Sequence, residues 1–127
     1  MRIGLPVIFL LIASAILAVV HWSALMLDLY WQYLWLDVPM HALGGAVVAL
    51  IPFALVTLRV SLPERLLRPV PVLVLVLVFG LIWEVFEHAT GATFAAKNYV
   101  FDTSLDLFLD LIGGYVGYIV GSRTQNF

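Results

Sequence analysis

The chain has 127 residues, 64% of them apolar and only 11% charged, with a formal net charge of -2 and a mean hydropathy of +1.10. Water-soluble domains carry roughly a quarter charged residues, so this composition excludes one and points to an integral membrane protein. The absence of cysteine removes disulfides, thiolate chemistry and cysteine metal sites.

A membrane-spanning helix needs about 20 predominantly apolar residues. Four runs approach or meet that length: Leu5 to Val20, Val38 to Leu58, Val70 to His88 and Thr103 to Gly121. The expected fold is therefore all-α, a polytopic membrane protein with four transmembrane helices in a compact bundle, and one domain occupies residues 1–127. The first run follows Met1-Arg2 in the manner of a signal peptide. It exceeds the usual apolar core of one, and no small-residue cleavage site follows before His21-Trp22, which favours a retained helix.

Between the first two runs, Trp22, Tyr30, Trp31, Tyr33 and Trp35 crowd into one stretch. Aromatic rings prefer the headgroup level, so residues 21–37 read as a helix end and an interfacial segment, with His21 and Asp28 as ordinary headgroup-level residues. The second helix opens at Asp37-Val38-Pro39, where Asp suits the N-cap and Pro the first turn. Arg59, Glu64, Arg65 and Arg68 then mark a short basic loop. The third helix alternates Val and Leu like a strand, but its length and lack of polar alternation favour a membrane helix. A mixed stretch around residues 89–101 reads as a loop, and the last helix follows.

Arg2, Arg59, Arg65, Arg68 and Arg123 fall on one side of four spans and only Lys97 on the other, so both termini are expected in the cytoplasm. Every acidic residue except Glu64, and all three histidines, then lie toward the outer side.

Within that half the spacing is informative. Asp37 and His41 are four residues apart at the start of the second helix, Glu84 and His88 four apart at the end of the third, and Asp102, Asp106 and Asp110 form a four-residue stripe on the last. Ionisable groups inside apolar spans are costly, so they face the protein interior and mark a candidate site. Carboxylates and imidazoles on inward helix faces are what a divalent cation needs. The expected centre is Glu84, His88, Asp106, Asp110 and His41, with Asp37, Glu87 and Asp102 at its rim, and a divalent metal ion of unspecified identity as cofactor. The alternative is shared protons among coupled carboxylates. Simpler roles also exist: N-caps for Asp37 and Asp102, a headgroup-facing Glu87, and hydrogen-bonding instead of ligation for His41 and His88.

Gly44, Gly45, Gly113, Gly114 and Gly117 read as helix-packing residues that let backbones approach, and not as a phosphate loop, because no strand precedes them and no Lys follows. No Ser-His-Asp or HExxH arrangement is present, and Glu84-x-x-Glu87-His88 has the wrong order for the latter. The sequence assigns no catalytic residue and leaves enzymatic activity open. The expected partner is membrane lipid, with a homo-oligomer or larger membrane assembly as further possibilities, and nucleic acid is not expected.

Three motifs carry a resemblance: Asp37-x-x-x-His41-x-x-Gly44-Gly45, Trp83-Glu84-x-x-Glu87, and Asp102-Thr103-x-x-Asp106-x-x-x-Asp110-x-x-Gly113-Gly114-x-x-Gly117. In this order they resemble the VanZ-like and YjdF-like small membrane proteins. The resemblance implies a cell-envelope protein of a bacterial-type inner (plasma) membrane, with a VanZ link to low-level teicoplanin resistance and no settled biochemical activity. The leading functional expectation is cation-dependent binding or processing of an envelope lipid or its headgroup. The alternatives are a structural or accessory subunit of a larger complex and a proton-coupled transporter.

Overall fold

A computed structural model describes residues 4–91 and 98–125. In chain order it contains α1 (Leu5–Met26), a short α2 (Leu29–Gln32), a 3₁₀ turn (Leu34–Leu36), α3 (Asp37–Thr57), a second 3₁₀ turn (Glu64–Leu67), α4 (Pro69–Thr90) and α5 (Tyr99–Thr124). Four helices are long and apolar enough to cross a membrane, as four apolar runs require.

The helices outrun the apolar segments at their polar ends. α1 continues past Val20 through His21 to Met26, because an interfacial stretch keeps its backbone paired by staying helical. α5 begins at Tyr99, with the Asn98 side chain accepting from the Phe101 N–H at 3.2 Å. Asn98 is thus the N-cap expected of Asp102, which lies within the first turn. Asp37 likewise is not an N-cap but the first residue of α3, since the preceding 3₁₀ turn runs directly into the helix. Both carboxylates remain in first turns, where the positive end of the helix dipole favours them.

α3 and α5 are the two central helices and run parallel, with α4 antiparallel to both and α1 on the outer face of α3. The parallel pair meets backbone to backbone. A Cβ built on Gly45 would collide with the Asp110 carbonyl, and one on Gly113 with the Ala42 carbonyl. Gly114 receives Val76 of α4, 2.8 Å from where its Cβ would stand, and Gly117 receives Ala46. These contacts sink α5 into α3 and α4 and carry its acidic stripe inward. One turn farther down, Ala49, Phe53, Val72 and Val76 form an apolar core. A second cluster, Ala24, Tyr30 and Met40, fastens the α2 segment onto α1 and α3.

The outer surface is apolar: Leu11, Val19, Ile82, Val85, Phe108 and Val116 are all exposed. In water so large an apolar belt would be untenable. Facing hydrocarbon, it is the arrangement a multi-pass membrane protein requires.

Candidate metal centre

His41, in the second turn of α3, stands at the centre of the polar cluster and is 6% exposed. Its Nδ1 is 3.1 Å from Asp110 Oδ1 on α5. A carboxylate only accepts, so this contact places a ring proton on Nδ1 and turns Nε2 to the opposite side. Nε2 there faces three carboxylates from three helices: Asp37 Oδ1 at 3.7 Å, Asp106 Oδ2 at 3.8 Å and Glu84 Oε1 at 4.0 Å. Glu84 is oriented by Thr103, whose hydroxyl donates to Oε2 at 2.8 Å. Its other oxygen, Oε1, is buried with no hydrogen-bond partner among the described residues.

Two sets of ligand atoms converge, Asp37 with His41 and Asp106, and His41 with Glu84 and Glu87, each within 4.8 Å of one another. Ligands about 2.0–2.6 Å from one ion are separated by at most about 4–5 Å, so each set by itself has the spacing a cation needs, and His41 belongs to both. The donor set also fits: one imidazole nitrogen with several carboxylate oxygens and no sulfur suits a divalent cation of hard or borderline character. The Asp110–His41 contact is the outer-sphere hydrogen bond that ordinarily orients a metal-bound histidine.

Glu84, Asp106, Asp110 and His41 lie together in the structure. Two positions differ. His88 is exposed, its ring 4.8 Å from that of Tyr99, and it stands outside the cluster. Glu87, assigned to the rim, is buried and joins the ligand set in its place. The reason is helical phase. Gly80 packs on the Asp110 carboxylate, and the face it defines continues to Glu84 and Glu87, both buried, while His88 turns outward. Asp37 also lies closer in than a rim residue, whereas Asp102 sits half-buried one turn above Asp106.

The sequence reading missed His21, Tyr30 and Thr103. His21, on α1, is half-buried; its Nδ1 is hydrogen-bonded to the Tyr30 hydroxyl at 2.7 Å, and its ring meets Trp83 edge-on. Burial, helped by the negative charges of Asp37 and Glu87, pushes the Tyr30 hydroxyl up to about 12, so it stays protonated and remains a donor. No local pattern singles out His21 or Tyr30, because the α2 segment folds back to join them. Thr103 was legible, since it shares a helix face with Asp106 and Asp110. Lys97 lies outside the described residues.

Beside the cluster is a cavity of about 340 Å³ between α1, α3 and α4. Asp37, His41, Glu87 and Asp110 stand at its polar wall with His21 and Tyr30, and apolar side chains such as Leu17, Val48 and Phe79 form much of the remainder. Gly44, expected to pack helices, opens onto this cavity, and a Cβ there would meet nothing within 4 Å.

Four membrane-crossing helices around a buried imidazole and carboxylate cluster define a multi-pass integral membrane protein with a polar centre. The chain belongs to the family described as Predicted membrane protein (DUF2238), whose family model matches residues 2–127. No curated protein and no solved structure matches it.

Proposed function

We propose that this protein is a cell-envelope membrane protein, VanZ-like or YjdF-like in character, that binds a divalent cation at His41, Asp37, Glu84, Glu87 and Asp106 and engages a lipid headgroup there. The observation that carries this reading is the His41 ring, held by Asp110 on one nitrogen and facing carboxylates of three helices with the other. Burying several carboxylates around a single imidazole leaves an excess of negative charge that only bound cations or protons neutralise. The partnerless Glu84 Oε1 argues for a ligand: an orphaned buried polar atom costs about 1–3 kcal/mol, more when charged, and coordination removes that cost.

The cation would supply Lewis acidity and charge for a headgroup oxygen. The chain's own residues do the remaining work. Asp110 fixes the His41 tautomer, Thr103 orients Glu84, and the apolar surroundings limit water. Below the cluster the core of Ala49, Phe53, Val72 and Val76 is apolar, which does not favour an onward proton path of the kind a proton-coupled transporter needs. The distribution of arginines supports an outward-facing cluster, and the VanZ-like resemblance supports a bacterial-type inner membrane.

The test is elemental analysis of detergent-purified protein after equilibration with Mg²⁺, Mn²⁺ or Zn²⁺, comparing wild type with the Glu84→Gln, Asp106→Asn double variant. Wild type should retain close to one ion per chain and lose thermal stability on chelation. The double variant should retain none and ignore the chelator. Equal metal content in the two, or no response of wild type to chelator and added ions, would overturn the cation reading.

A further inference from the structure

The cavity beside the cluster carries an inference about what the site holds. Its volume, about 340 Å³, falls in the range of roughly 300–1,000 Å³ typical of small-molecule sites. Its two ends differ in chemistry. Leu17 and Ala18 of α1, Met40 and Val48 of α3, and Val76 and Phe79 of α4 line it with hydrocarbon. The other end presents Asp37, Glu87 and Asp110 with the His41 and His21 rings, and no Arg among the described residues lies in that half of the bundle. Apolar walls leading to a carboxylate-rich end describe the complement of an amphiphile with a cationic head.

We propose that this cavity binds the hydrocarbon chain of an amine-bearing membrane lipid, with its ammonium group donating to Asp37 and Glu87. Asp110 stands at the same end, only 6% exposed, and its Oδ2, beside Gly80, has no hydrogen-bond partner among the described residues. Gly44 gives an independent indication of an occupant: it leaves open space at the cavity wall, where any larger side chain would occupy the chain's path. An anionic head would meet like charge in a medium of low dielectric, which is unfavourable by kilocalories. Asp37 and Glu87 are also ligands of the proposed cation, so the ammonium group and the ion are alternative occupants of these two carboxylates. The proposal deepens the headgroup reading above and rests on its lipid component; it does not require the ion.

Native mass spectrometry of the full-length chain in detergent, titrated with phosphatidylethanolamine, phosphatidylglycerol or free ethanolamine, tests it. Wild type should retain phosphatidylethanolamine at least about tenfold more strongly than phosphatidylglycerol and should not retain free ethanolamine. Gly44→Leu should lose both lipids by about tenfold while keeping wild-type thermal stability. The Asp37→Asn, Glu87→Gln pair should keep the lipid but lose the preference between heads. Equal retention of the two lipids by wild type, undiminished retention by Gly44→Leu, or binding of free ethanolamine as strong as the lipid would each overturn the proposal. Metal content measured on the same samples separates the two readings: an ion-free wild type that still selects the amine lipid defeats the cation reading alone.

Discussion

His41 is the residue on which the polar interior turns. Its two nitrogens do different things, one donating to Asp110 and the other facing Asp37, Asp106 and Glu84. This division assigns Asp110 the role of a positioning group, since its nearer oxygen meets Nδ1 and not the proposed ion position. Asp110→Asn should therefore weaken metal binding by about 10–100-fold without abolishing it, the usual effect of losing the carboxylate behind a histidine ligand. Isothermal titration with the preferred ion checks this. A loss as complete as that of the Glu84→Gln, Asp106→Asn pair would make Asp110 a direct ligand instead.

At the level of helices, glycine decides which faces can meet. Gly45 and Gly113 lie where the α3 and α5 backbones touch, and neither has room for a Cβ. Gly113→Ala must push the helices apart, at about 1–3 kcal/mol by the measure of overpacked interiors, and should displace Asp110 from His41. Gly44→Ala, one residue from Gly45 in sequence, meets open space. It should be neutral or stabilising by about 0.5–1 kcal/mol, because alanine loses less backbone entropy in a helix. Thermal unfolding of both variants in the same detergent provides the comparison, and a Gly113→Ala protein as stable as wild type would mean that the parallel pair is not packed this closely.

Across the whole molecule, the apolar surface and polar interior invert the usual arrangement of a soluble protein. Lipid hydrocarbon covers the outside, while backbone groups are satisfied within helices and ionisable groups within the cluster. Among the described residues, arginines occupy the end of the bundle opposite the carboxylate cluster, so the positive-inside rule predicts the Arg59 to Arg68 loop in the cytoplasm. The chain has no cysteine, so single introduced cysteines report topology without background. In intact cells, Asn98→Cys should react with a membrane-impermeant maleimide, whereas Ser61→Cys should react only after permeabilisation. The reverse pattern would turn the site toward the cytoplasm.

The bundle was largely readable from the amino acids because four long apolar runs allow nothing in a bilayer but helices, and because Glu84, Asp106 and Asp110 inside such runs must point inward. The glycines near them announced close packing for the same elementary reason, lack of a side chain. Other features depend on phase and on long-range return of the chain. Whether Glu87 or His88 turns inward depends on a rotation of α4 that its packing against α5 sets, and two adjacent residues at a helix end look alike in sequence. Tyr30 and His21 meet only because the α2 segment folds back over α1 and α3. The cavity, too, arises from how far α1 and α4 stand apart around α3, a distance that no local spacing of residues encodes.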